Sequence, residues 1–263
     1  MELTVKGKKA YAYTGGKTFD ATLPTVMFVH GAQCDHSVWI LQSRYLAHHG
    51  HGVLALDLPG HGRSVGPALA RIEDLADWIA ALLEAAGVKQ ASVVGHSMGS
   101  LIALDCAARH PARLAKIALL ATAYPMKVSD QLLEATKNDE PAAQDMVNIW
   151  SHLAYAQYPN NPGPGFWVIG ENLRLMQRQK PGVMHVDFSA CNAYVGGAEA
   201  AAKVQCPALF LIARRDVMTA ARSAQAFAQS VKGARIVMIE GSGHNMMGEK
   251  PDEVLDSLVA FLK

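Results

Sequence analysis

Ser97 lies within Gly95-His96-Ser97-Met98-Gly99, a G-x-S-x-G spacing that sets a hydroxyl between two residues without side chains. The run Ala91-Ser92-Val93-Val94 before it reads as a short buried strand, and Leu101 through Arg109 after it reads as a helix. Glycines at 95 and 99 permit a strand-to-helix turn too tight for side chains on both flanks. The serine can then be held at a strained apex with its hydroxyl exposed. Five residues of this pattern also arise by chance, and a glycine-softened turn with a capping serine is the plainer alternative.

Partners decide between the two readings. A serine hydroxyl is a poor nucleophile near neutral pH and needs a general base within hydrogen-bond reach, oriented in turn by a third group. His244, in Gly241-Ser242-Gly243-His244, is the best base, because it follows a strand-like run on a glycine-punctuated loop. His110 ends a helix before Pro111, and His152 and His185 fall in a later helical stretch. Asp216, just past another strand-like run, would hold the imidazole in its productive tautomer and stabilise the imidazolium. It can alternatively cap a helix starting near Thr219, and Glu240 is a second carboxylate shortly before His244. Asp216 is preferred because it comes from a neighbouring strand end and can approach the ring from the side, whereas Glu240 shares the histidine's own loop.

Acyl transfer puts negative charge on the former carbonyl oxygen, and a preorganised donor there contributes about 3 to 4 kcal/mol. Two backbone N–H groups are placed for this. Met98 follows the nucleophile and opens a helix, where free amides point outward. Ala32 follows His30-Gly31 at the first strand-to-helix turn. His30 adjoins the expected site, and a loop-shaping bond to backbone is preferred for it over a direct chemical role.

These residues must be positioned by a scaffold. Six apolar runs read as strands buried on both faces: Val26–Val29, Val53–Leu56, Ser92–Val94, Ile117–Leu120, Ala208–Ile212 and Ile236–Ile239. Helical periods separate most of them, including Ile72 to Leu83 with Gly87 as a stop, Ala220 to Val231, and Pro251 to Leu262. Leu3 to Tyr13 can add one or two antiparallel edge strands. The alternation predicts an α/β fold, an open and mainly parallel sheet with helices on both faces. In such sheets the ligand lies at the carboxyl ends of the strands, where His30, Ala32, Ser97, Asp216 and His244 fall.

Between Leu120 and Ala208 the alternation stops, although connections are usually a handful of residues. Helical stretches near Asp130 to Thr136, Pro141 to Tyr155 and Phe166 to Gln179 are separated by the Pro-, Asn- and Gly-rich segment Tyr158 to Gly165. The expected division is a core of residues 1–122 and 206–263 with a helical lid, residues 123–205, inserted after the fourth parallel strand. Most lid apolar residues should pack it onto the core, with a minority lining a pocket. Pocket candidates are Met146, Trp150, Trp167 and Arg178, together with His30. Arg174 and Arg178 lie one turn apart and can clamp a carboxylate, but a solvated helix face is the preferred reading.

The bulk composition narrows the partners. A net charge of +1 with 18% charged residues provides no basic field for nucleic acid or an anionic membrane. Small-molecule substrates are expected, with the chain acting as a monomer or homodimer. Met1 to Ala10 lacks an apolar signal-peptide core, and no run approaches about 18 apolar residues, so a cytoplasmic location is expected. Cys34, Cys106, Cys191 and Cys206 show no C-x-x-C spacing, and His48, His49 and His51 do not converge as ligands at a helix end. No cofactor and no metal are expected.

The chain resembles the α/β-hydrolase superfamily through His30-Gly31, Asp57-Leu58-Pro59-Gly60-His61-Gly62-Arg63-Ser64, GHSMG, Asp216 and Gly241-Ser242-Gly243-His244. The Ser, Asp, His order fits that fold. Serine at 97 differs from the aspartate of haloalkane dehalogenases and epoxide hydrolases, and the 30–33 loop lacks the glycine run of HGGG lipases. Plant hydroxynitrile lyases and methylesterases share a related opening. Two departures are Ser100, where many relatives have glycine, and Arg214-Arg215 beside Asp216. An inward guanidinium there would favour the ionised aspartate. The resemblance implies a cofactor-free serine hydrolase of a small or medium carboxylic ester, working through an acyl-enzyme. Alternatives are a thioesterase, an acyltransferase, a C–C hydrolase or lyase, or a non-catalytic ligand-binding protein of the same fold.

Overall fold

Val26, Met27, Phe28 and Val29 form a strand with no exposed side, and most of the parallel strands share that burial. The computed structural model describes residues 1–157 and 167–263. The Tyr158 to Gly165 break and Phe166 therefore lie outside the described residues. Among the described residues one sheet runs through β1 (Glu2–Val5), β2 (Lys8–Tyr13), β3 (Thr25–Val29), β4 (Gly52–Asp57), β5 (Ala91–His96), β6 (Leu114–Leu120), β7 (Ala208–Ala213) and β8 (Arg235–Ile239). Their spatial order is β1-β2-β4-β3-β5-β6-β7-β8. Strands β3 to β8 pair in parallel, and β1 and β2 add an antiparallel edge, as the alternation predicts.

The helices are α1 (Ile40–His48), α2 (Ile72–Ala85), α3 (Met98–Arg109), α4 (Asp130–Asn138), α5 (Glu140–Ser151), α6 (Val168–Gln177), α7 (Val183–Ala193), α8 (Gly197–Lys203), α9 (Ala221–Ala228), α10 (Met246–Glu249) and α11 (Pro251–Leu262). Side chains alternate across each strand, so one sheet builds two cores. Met27, Val29, Leu54 and Leu56 join α2, α3 and α9 on one face. Val26, Phe28, Val53 and Ala55 join α1 and α11 on the other.

Two expectations need correction. β8 is not buried on both faces: Arg235 is exposed and Ile236, Val237 and Met238 are half-buried, because it is the outermost strand. The long connection also holds more helix than its periodicity showed. Besides α4, α5 and α6 it contains α7 and α8, with a small core of its own around Leu132, Val147, Met176, Met184 and Phe188. α7 is apolar around most of its surface and α8 is short and begins at Gly197, so neither presents a clean amphipathic stripe.

Candidate active site

Ser97 sits between β5 and α3 with φ +52 and ψ −119. A residue with a β-carbon pays of order 1–3 kcal/mol to stay in such a region, and the surrounding contacts hold it there. Its amide donates to the Leu120 carbonyl of β6 at 2.9 Å, and its carbonyl accepts the Ser100 amide at 2.9 Å and the Ser100 hydroxyl. The flanking glycines are required by space rather than by φ. A β-carbon on Gly95 would meet the Gly99 carbonyl oxygen at 2.1 Å, and one on Gly99 would meet the Val29 oxygen at 2.3 Å. Ser100 is fully buried, and its bond back to Ser97 shows what a hydroxyl does at that position.

The His244 imidazole is buried, and its Nδ1 donates to Asp216 Oδ2 at 2.8 Å. The ring therefore has Nε2 free to act as a base. His96, next to the serine, donates from Nε2 to the His244 carbonyl at 2.9 Å and ties the elbow directly to the histidine loop. Burial lowers the His96 pKa to about 3, so its ring stays neutral. Glu249 holds the same loop from the other side, accepting the Gly243 amide at 2.7 Å and the Leu153 amide at 2.8 Å.

Asp216 makes both sets of contacts that its position allowed. One oxygen, Oδ1, accepts the Met218 and Thr219 amides at 2.8 Å each, as a turn cap would. The other accepts the His244 proton and the Thr219 hydroxyl, the latter at 2.6 Å. Burial pushes the carboxyl up, but the His244 charge and the hydrogen bonds to His244 and Thr219 outweigh it and hold Asp216 below its ordinary range. The arginines do not meet the condition of an inward guanidinium. Arg214 and Arg215 are both exposed, and Arg214 donates to Glu240 at 3.1 Å. Glu240 is thereby engaged at the surface with 68% of its side chain exposed.

Ser97, His244 and Ala32 line one cavity of about 370 Å³, walled by Met126, Leu132, Trp150, Phe188 and Met218. Among the described residues, neither the Ala32 nor the Met98 amide donates a hydrogen bond. Of the pocket candidates only Trp150 reaches this cavity. Met146 packs against the small core of the inserted segment. Trp167 is 61% exposed and lies over Gly170. Arg178 faces a separate cavity and forms a bidentate pair with Asp35, with its Nη2 also 2.8 Å from the Ser37 hydroxyl. His30 is fully buried outside the cavity lining, where its Nδ1 donates to Gly31 O at 2.8 Å and its Nε2 accepts the Leu58 amide at 3.1 Å. That is the backbone-shaping role preferred for it.

Asp35, His36 and Asp57 bring ligand-type atoms within 4.8 Å of one another. Their oxygens are already spent on protein donors: Asp35 on Ser37 and Arg178, Asp57 on His36 and the Arg63 amide.

Three polar residues, Asp187 of α7, Glu249 of α10 and Thr219 after β7, were not singled out by sequence as parts of the site. Asp187 is 1% exposed in an otherwise apolar helical run, and an aspartate on such a face was the available signal. Thr219 and Glu249 left no such mark.

A model of the alpha/beta hydrolase family matches residues 26–257. The chain is 24% identical over 248 residues to (E)-2-((N-methylformamido)methylene)succinate hydrolase of Acinetobacter baylyi, covering 90% of each protein. It is 30% identical over 241 residues to a pimeloyl-(acyl-carrier protein) methyl ester esterase of Chromobacterium violaceum, covering 84% of this chain and 87% of that one. An enol-lactonase from Burkholderia xenovorans LB400 superposes with a TM-score of 0.88 at 23% identity, over 100% of this chain and 99% of that one. Among the described residues, no helix is long and apolar enough to cross a membrane.

Proposed function

The chain belongs to the alpha/beta hydrolase family, and from that premise we propose that it is a serine hydrolase of small or medium carboxylic esters. The observation that carries this reading is His244, bonded at 2.8 Å to the buried Asp216, lining the same cavity as a serine held at φ +52.

His244 Nε2 takes the proton of Ser97 Oγ as that oxygen attacks the ester carbonyl, and Asp216 stabilises the imidazolium that forms. The Ala32 and Met98 amides receive the negative charge on the carbonyl oxygen. Collapse of the tetrahedral intermediate breaks the ester C–O bond, and His244 gives its proton to the departing alcohol. Water then enters and attacks the acyl carbon as His244 takes its proton, and when the acyl–Oγ bond breaks the acid departs and His244 returns the proton to Ser97 Oγ.

The cavity walls favour an apolar acyl group, since Met126, Leu132, Trp150, Phe188 and Met218 line the cavity together with Ser97. Its size suits a small or medium substrate. The relatives' names, a methyl ester esterase and an enol-lactonase, support a carboxylic ester or lactone bond. Residues 123–205 act in this reading as a lid that supplies most of the apolar wall, with residues 1–122 and 206–263 as the catalytic core.

Hydrolysis of p-nitrophenyl acetate, butyrate and hexanoate tests the reading. A nitrophenolate burst with the wild-type protein, and its loss in Ser97→Ala and His244→Ala, supports it. Equal turnover by Ser97→Ala overturns it.

A further inference from the structure

Gly31, Ala32, Gln33 and Cys34 form a turn closed by the Cys34 amide on the Gly31 carbonyl at 3.3 Å. Gln33, third in the turn, has φ +56, whereas Ala32 does not adopt positive φ. That is the type II pattern, in which the third position favours glycine, and a β-carbon there costs about 1–2 kcal/mol. Type I and type II turns interconvert by flipping the central peptide, here the one joining Ala32 to Gln33. An external contact must hold that peptide in place.

The contact comes from the inserted segment. Gln33 donates its amide, the N–H of the central peptide, to Asp187 Oδ2 of α7 at 2.8 Å. The same oxygen accepts His61 Nε2 at 2.8 Å, from the loop after β4. His61 Nδ1 faces the Pro59 carbonyl at 3.1 Å, so both ring nitrogens meet acceptors and the ring satisfies both only as the imidazolium. His61 and Asp187 are each 1% exposed, so this is a buried ion pair. The Gln33 carboxamide adds bonds to Glu140 at 3.0 Å and to the Met176 carbonyl at 3.1 Å. A strained turn is thus gripped by α5, α6 and α7 together.

We propose that Asp187 is a positioning residue for the oxyanion site: by accepting the Gln33 amide it anchors the Gly31–Cys34 turn as a whole, and with it the Ala32 residue that lines the cavity beside Ser97. The proposal rests on the serine-hydrolase reading above. It makes the inserted segment part of the catalytic machine as well as its cover, because displacing α7 releases the turn that carries the amide.

The test compares Asp187→Ala, Asp187→Asn and His61→Phe with wild type, using p-nitrophenyl butyrate and a trifluoromethyl ketone as transition-state analogue. Asp187→Ala is expected to lower kcat about 100-fold with KM within about 2-fold, and to weaken the ketone in parallel with kcat/KM. Asp187→Asn keeps an oxygen for the Gln33 amide and is expected to recover most of the lost kcat. Unchanged kcat in Asp187→Ala, or a raised KM at unchanged kcat, overturns the proposal. If Asp187→Ala does not fold, His61→Phe decides. It keeps a ring against His30 while removing one of the groups that hold Asp187, and lowered kcat with native circular dichroism supports the proposal while wild-type kcat overturns it. Fluorophosphonate labelling of the wild type separates the two levels: no labelling sinks the serine reading itself, whereas labelling with unchanged variant kcat sinks only the role of Asp187.

Discussion

Asp216 Oδ2 lies 2.8 Å from His244 Nδ1 while the other oxygen of the same carboxylate caps the turn that follows β7. The cap fixes the orientation of the carboxylate independently of the histidine, so in the proposed mechanism that orientation is already set when the imidazolium forms. Asp216→Asn keeps an oxygen for the cap but loses the charge and can present an N–H to the ring. It is expected to leave the fold intact and to lower kcat about 10³- to 10⁴-fold. Glu240→Gln, at the surface beside Arg214, is expected to stay within about 2-fold of wild type. Steady-state kinetics on both variants checks the assignment of the carboxylate.

The elbow glycines carry a stability prediction. Gly99→Ala forces a β-carbon to 2.3 Å from the Val29 oxygen and 2.6 Å from the His30 oxygen, both backbone atoms that cannot rotate away. A loss of about 3 kcal/mol or more is expected, read as a lowered denaturant midpoint. Gly87→Ala meets no atom within 4 Å, and only the cost of its φ of +71 remains, about 1–2 kcal/mol. Equal midpoints for the two variants would remove the steric argument.

Stability should fall on the acid side. Burial lowers His30 and His152 to about 4 and His96 to about 3, against an ordinary 6.5. The unfolded chain therefore takes up protons below pH 6.5 that the folded chain refuses, and each ring removes up to about 1.4 kcal/mol per pH unit until its folded pKa is reached. His61 opposes this. Burial works against its charge, but Asp187 outweighs burial and raises its pKa, so its pairing contributes stability below its unfolded pKa and loses it as pH rises through the folded one. The net expectation is a declining Tm from pH 7 to 4.5. His152→Gln, which can still bond the Asn148 carbonyl and Asn245, is expected to flatten that decline. Parallel Tm curves for the two proteins would contradict it.

Trp150 and Phe188 border the cavity, whereas Trp167 covers Gly170 away from it. Trp150→Ala is expected to shift the preferred p-nitrophenyl ester toward longer acyl chains by several-fold in kcat/KM. Trp167→Ala is expected to keep the wild-type profile. The opposite pattern would place the acyl group elsewhere.

The sheet was legible because parallel strands buried on both faces concentrate Val, Ile, Leu and Ala into runs that stand out from their surroundings, as Ala208 to Ala213 does. Residues at the ends of those runs were legible for the same reason, and Ser97, Asp216 and His244 could be named from their places after β5, β7 and β8. The inserted segment was harder. Trp167 and Trp150 have the same chemistry and similar helical settings, yet only tertiary packing sends one to the cavity and the other to solvent. Asp187 was missed because its partners Gln33 and His61 lie 154 and 126 residues away along the chain, and no local pattern records such a pairing. Arg214 could be placed beside Asp216 but not oriented, because a charge beside a site in sequence can still point outward from the loop after β7.

Labelling with a fluorophosphonate, followed by peptide mass mapping, tests the central claim most directly. The wild-type protein is expected to gain one phosphonyl group on Ser97, with labelling lost in Ser97→Ala and sharply slowed in His244→Ala. A wild-type protein that resists the reagent, or a Ser97→Ala protein that labels at the same rate, would contradict the assignment of Ser97 as nucleophile.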